Sequence, residues 1–156
     1  MGARMRTNPH SSRPEEFGQG RAENAATPPR RVLIVEDEFF LAVQVEEWLV
    51  AAGFEVIDIA FTAEEAIALA VAERPGVIFM DIRLANDSDG IVAACEILAR
   101  TGIRCIFASA YADAPTVARG EAARPFGWLR KPFGAAAVVE AANRALDELR
   151  NSAGPR

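Results

Sequence analysis

The sequence predicts an α/β fold, a doubly wound parallel sheet of five strands with five helices, on three observations. Five short apolar runs alternate with segments whose apolar residues recur at helical spacing. Runs such as Val77-Ile78-Phe79-Met80 are apolar without a break, which reads as strands buried on both faces by flanking helices. Four of the five runs also stop on groups able to do chemistry, namely Glu36-Asp37, Asp81, Ser109 and Lys131. At 156 residues the chain fits one domain with length enough to bury a core.

Residues 1–30 are rich in Ser, Pro, Gly, Asn and Arg, with Phe17 as their only aromatic, and are expected to be a disordered N-terminal extension. The domain is expected over 31–150. A short tail, 151–156, leaves no room for an output domain within this sequence. Val32-Leu33-Ile34-Val35 is the first strand. Leu41, Val45, Trp48, Leu49 and Ala52 then define a helix that Gly53 stops. Phe39, Phe40, Val43 and Val50 lie off that stripe, either as extra core or as a docking face for a partner.

Glu55-Val56-Ile57-Asp58-Ile59-Ala60 is the second strand, and Thr62 with Glu65 forms a capping box for a helix running to about Glu73. Pro75-Gly76 ends it and opens the strand that finishes on Asp81. A polar loop, Ala85-Asn86-Asp87-Ser88-Asp89-Gly90, leads to a helix carrying Ile91, Ala94, Cys95 and Leu98 and closed by Gly102. Arg104-Cys105-Ile106-Phe107-Ala108 is the fourth strand, ending on Ser109. A short helix starts near Asp113 with Pro115 in its first turn. Gly127-Trp128-Leu129-Arg130 is the fifth strand, and a last helix presents Val138 or Val139, Ala142, Leu146 and Leu149 on one face.

Charge and cysteine content narrow the function. Up to Arg30 five Arg stand against three Glu, a balance of +2, whereas the remaining residues carry 12 basic against 19 acidic groups, or −7. An acidic body argues against a nucleic-acid surface. Cys95 and Cys105 share no metal-ligand spacing and read as reduced core thiols. No apolar run reaches the length of a membrane span and the first residues lack the apolar core of a signal peptide, so a cytoplasmic location is expected.

Right-handed crossovers place all five strand ends on one rim, where ligands of such sheets bind. Three carboxylates gathered there repel each other by several kcal/mol at intermediate dielectric. A hard divalent cation with oxygen ligands, Mg²⁺ foremost, compensates them, and Lys131 adds a fixed positive charge. Acids, a hydroxyl and an ammonium are also what a phosphoryl group needs, one carboxylate serving as the nucleophile.

Glu36-Asp37, Asp81, Ser109 and Lys131-Pro132, in that order at successive strand ends, resemble the receiver domain of two-component response regulators. The resemblance spans about Arg31 to Arg150 and implies the flavodoxin-like receiver fold, of the stand-alone type. It implies that Asp81 is the phosphoacceptor, that Asp37 and Asp81 bind Mg²⁺ directly, that Glu36 acts through a metal-bound water, and that the Arg83 carbonyl completes the metal site. Lys131 is expected to contact the phosphoryl group, across a cis Lys131-Pro132 peptide. Ser109 and Trp128 are the expected switch pair, the hydroxyl moving toward the phosphoryl group and the aromatic turning inward behind it. Phe107-Ala108-Ser109-Ala110-Tyr111 is similar to the Phe-Ala-Thr-Gly-Tyr run of stand-alone alphaproteobacterial receivers, with Ala110 replacing Gly. The loop after Asp81 lacks the usual Pro, and Asp89-Gly90 comes one residue later than in most receivers. Arg83 and Tyr111 occupy the two positions that the resemblance links to acyl-phosphate lifetime, and their bulk points to a long-lived phosphoryl-aspartate.

The sole histidine, His10, sits in the extension, so the phosphoryl group is expected from a histidine kinase, a phosphotransfer protein or a small donor such as acetyl phosphate. Such a protein modifies itself without being a turnover enzyme, and it signals to an unidentified downstream protein, docked either on the fourth helix, fifth strand and fifth helix or on the apolar surplus around Phe39 and Phe40. One alternative is a receiver-like interaction module that works without phosphate. The other is an aspartyl phosphatase, which the residue two beyond each candidate nucleophile disfavours: Phe39 after Asp37, Arg83 after Asp81, where a second Asp is wanted.

Overall fold

The computed structural model describes residues 30–110 and 112–153. The expected extension over 1–29, with His10 and Phe17, lies outside the described residues, as do Tyr111 and 154–156. The chain alternates β1 (Arg31–Val35), α1 (Phe39–Ala51), β2 (Glu55–Ala60), α2 (Ala63–Glu73), β3 (Val77–Asp81), α3 (Gly90–Thr101), β4 (Cys105–Ser109), α4 (Ala114–Gly120), β5 (Gly127–Arg130) and α5 (Ala135–Ser152). Short 3-10 turns at Ala85–Asp87 and Glu121–Ala123 precede α3 and β5. All strand pairs are parallel, in the order β2-β1-β3-β4-β5.

Strand side chains alternate between two apolar layers. Leu33, Ile78, Met80 and Phe107 face α2 and α3, meeting Ala66, Ala70, Ile91, Ala94 and Ile97. Val32, Ile34, Phe79 and Ile106 face α1 and α5, meeting Ala42, Val45, Leu49, Val138, Ala142 and Leu146. This double burial is why the strand sequences show no polar alternation. At the edge opposite the carboxyl ends of the strands, Arg30 and Arg104 each lay a guanidinium 4.2 Å over a ring, Phe54 and Phe126 respectively. That edge is braced by cation–π contacts.

Helix positions follow the expected pattern with local shifts. The fully buried stripe of α1 is Ala42, Val45 and Leu49, with Leu41, Trp48 and Ala52 half-buried at its margins. In α3, Ile97 takes the core position and Leu98 is half-buried beside it. The Thr62 hydroxyl accepts the Glu65 N–H at 3.2 Å, and the Glu65 carboxylate accepts the N–H of Phe61, one residue before the cap, at 2.9 Å. The last helix continues to Ser152, two residues past the expected end. No described helix is long and apolar enough to cross a membrane.

Leu49 is fully buried, whereas Phe40, near the start of the same helix, is 83% exposed. Leu49→Ala should therefore lower the unfolding free energy by about 2–5 kcal/mol in urea titration. Phe40→Ala should stay within about 0.5 kcal/mol of the parent, and a larger loss would place Phe40 in the core.

Candidate functional site

The strand register builds the site. Val35 pairs with Met80, so Glu36 emerges beside Asp81. Asp81 pairs with Ala108, which sets Ser109 one residue beyond it, and Ser109 pairs with Arg130, which sets Lys131 one beyond that. The Lys131 N–H donates to the Ser109 carbonyl at 2.9 Å, and the Lys131-Pro132 peptide is cis, as expected. Glu36, Asp81 and Ser109 are the buried polar or charged side chains among the described residues, at 5%, 7% and 7% exposure. Buried polar groups at three neighbouring strand ends point to function, since apolar residues would fill these places more stably.

One oxygen from each of Glu36, Asp37 and Asp81 lies within 4.8 Å of the others. The Lys131 ammonium donates to Glu36 Oε1 at 2.6 Å and stands 3.3 Å from Asp81 Oδ2. Glu36 Oε2 accepts the Glu38 N–H at 3.2 Å and Asp81 Oδ1 the Arg83 N–H at 3.4 Å. Three carboxylates against one ammonium leave a formal charge of −2 at the rim. Two unit charges 4.8 Å apart repel by about 3.5 kcal/mol at an effective dielectric of 20, less where water reaches the exposed Asp37.

Burial raises the pKa of Glu36 above its ordinary 4.5, and Asp81 adds to the rise while Lys131 opposes it. Asp37 is raised above 3.8 by lost hydration and then by Glu36. Burial pulls the Lys131 pKa down, but its hydrogen bond to Glu36 and the charge of Asp81 more than reverse this, so it stays protonated. The donor set fits a hard cation of charge +2 with oxygen ligands, as Mg²⁺ is. Asp37 and Asp81 would hold such an ion, with Glu36, already engaged by Lys131, at its margin.

The loop after Asp81 is held by residues whose part in the site the sequence reading did not assign. Asp89 caps α3, accepting the Ile91 and Val92 N–H groups at 2.8 and 3.3 Å, and its other oxygen receives Arg119 of α4 at 2.5 Å. Burial alone would raise the Asp89 pKa; Arg119 and the capped N–H groups bring it below the ordinary value. A Cβ on Gly90 would overlap the Asp81 carbonyl oxygen and stand 3.0 Å from the Ile82 Cα, so only glycine lets α3 begin against this backbone. Arg83 is exposed, and its carbonyl belongs to the segment leaving the rim. The Trp128 indole faces inward, its centroid 4.7 Å from that of Phe107.

Raised carboxylate pKa values favour the folded chain in the protonated form. That contribution is present at low pH and is lost as pH rises through the raised values of Glu36 and Asp37. A bound cation needs deprotonated carboxylate ligands and acts in the opposite direction. Mg²⁺ at about a hundred times its Kd should stabilise the chain by about 2.7 kcal/mol near neutral pH. In thermal melts this gain should fade on acidification as Asp37 takes up its proton, and Asp37→Asn should remove most of it. A gain that persists in Asp37→Asn would place the ion elsewhere.

Residues 32–143 match the response regulator receiver domain. The chain is 32% identical over 125 residues to the transcriptional regulatory protein PdtaR of Mycobacterium tuberculosis, covering 80% of this chain and 60% of that protein. It is 35% identical over 133 residues to the phyllosphere-induced regulator PhyR of Methylorubrum extorquens, covering 85% of this chain and 48% of PhyR. The chain thus spans about half to three fifths of these two relatives. Against the chemotaxis protein CheY of Bacillus subtilis identity is 33%, covering 75% of this chain and 98% of CheY. Among solved structures, a CheY-like receiver domain protein from Methanospirillum hungatei superposes with a TM-score of 0.73 at 25% identity, over 80% of this chain and 98% of that one. With the acid cluster, the buried hydroxyl and the lysine at the strand ends that the fold assigns them, the chain belongs to the response regulator receiver family.

Proposed function

We propose that this chain is a phosphoryl-controlled switch whose acceptor is Asp81. The observation that carries the reading is the Lys131 ammonium set between Glu36 and Asp81, beside a third carboxylate, at the carboxyl end of a parallel sheet. An Asp81 oxygen attacks phosphorus in line with the leaving group; the bond to the donor imidazole nitrogen or acetate oxygen breaks, and that group leaves with the electron pair. A divalent ion, when bound, supplies positive charge to the phosphoryl oxygens. Lys131 orients and neutralises the same group, and the Ser109 hydroxyl donates a hydrogen bond to it. The donor is a histidine kinase, a phosphotransfer protein or a small acyl phosphate. On this reading the chain transfers the group to itself and later to water, and turns over no other substrate. It works in the cytoplasm, where such donors are.

Partner docking is proposed at the start of α1. Phe39 and Phe40 are 58% and 83% exposed with ring centroids 5.7 Å apart. An open cleft of about 450 Å³ beside them is lined by Glu38, Phe40, Leu41, Gln44, Lys131 and Phe133. A protein seated there reaches the rim directly. Apolar rings exposed together at a functional edge suit a transient protein interface.

Incubation with acetyl phosphate and Mg²⁺ should add one phosphoryl mass to the intact chain, and Asp81→Ala should abolish the adduct. An adduct retained in Asp81→Ala would refute the assignment; none under any donor would favour a phosphate-independent module. The bulk of Arg83 near the acceptor should shield the acyl phosphate from water, so Arg83→Ala should shorten its lifetime in pulse-chase. Complete loss of label from the parent within seconds would contradict this.

A further inference from the structure

Position 120 holds a glycine that its backbone does not require. Gly120 ends α4 with φ −68° and ψ −26°, ordinary helical values open to any L residue. Glycine is less favourable than alanine in such a place, so a reason other than backbone conformation is needed. The reason visible here is space. A Cβ at residue 120 would stand 2.5 Å from both Cζ2 and Cη2 of Trp128 and 3.2 Å from Cε2 of Phe107. The outer edge of the indole fills the volume that a methyl group would take.

The seat is not wholly comfortable for the ring. Trp128 Nε1 is buried and has no hydrogen-bond partner among the described residues. An orphaned donor opposes burial, while the contact with Phe107 and the lost apolar surface favour it. Turning outward would hydrate Nε1 and give up those contacts. The inward state is therefore opposed by one term and favoured by another, as in an element that a modest bias can move. Phe107 pairs with Trp128 across β4 and β5, two residues before Ser109 and one strand from Asp81.

We propose that Gly120 is a positioning residue that keeps open the inward seat of the Trp128 indole. Filling the seat acts on the far end of a two-torsion side chain, so the indole is expected to leave while α4 stays.

The test uses the whole chain with Trp48→Phe, so that Trp128 alone reports. Without any phosphoryl donor, Gly120→Ala should shift the emission to the red and increase acrylamide quenching. With Trp128→Phe also present, only the 3.2 Å approach to Phe107 remains, and Gly120→Ala should shift the urea midpoint upward relative to its effect beside Trp128. Unaltered emission and quenching, or an equal change of midpoint in both backgrounds, would overturn the seat.

Discussion

The ammonium of Lys131, 2.6 Å from Glu36 and 3.3 Å from Asp81, is the contact that lets charged groups sit at the end of an otherwise apolar sheet. Two carboxylates this buried would otherwise face each other in a medium of low dielectric, and at least one would take a proton. The compensation is incomplete, because Asp37 brings a third negative charge. A fully neutralised rim would be more stable and inert. An under-compensated one retains an attraction for cations, and with it the means to draw a charged group toward Asp81.

Backbone pairing gives that contact its geometry. Each parallel neighbour ends one step further along the rim, from Glu36 beside Asp81 to Ser109 and then Lys131, so four separate stretches converge with no long loop to place them. The layers beneath, Leu33, Met80 and Phe107 on one side and Ile34, Phe79 and Ile106 on the other, keep the strands from slipping. A one-residue slip would exchange the two faces and bury the wrong side chains. Stability of the core and alignment of the site are thus the same requirement.

Much of this was legible in the sequence because it depends on period and punctuation. Apolar runs, the Thr62 cap, Gly53, Gly102 and the polar strand ends are local signals, and the sheet rule turns them into one rim. What stayed hidden depends on contacts between distant residues. Asp89-Gly90 was visible as a loop, but not that the glycine lies against the Asp81 carbonyl or that Asp89 takes Arg119 across to α4. Gly120 closes a short and weakly patterned helix, where a glycine reads as an ordinary helix stop, so its contact with Trp128 stayed hidden. The exposure of Phe40 could not be derived, because a stripe with surplus apolar residues does not say which of them the neighbouring helix covers.

On the proposed reading, a phosphoryl group adds close to two negative charges at a rim whose single ammonium is already shared between two carboxylates. New donors have to come from the strand ends nearest Asp81, and β4 is the strand that pairs with it. On that reading a movement of Ser109 would pass along β4 toward Phe107, the ring against which Trp128 rests. The indole lies over Gly120 with no space for a methyl group between them, so small shifts of β5 relative to α4 would bear on its place. An electrostatic event at the rim would thereby reach an apolar contact between α4 and β5, and apolar surface is what a protein partner can distinguish.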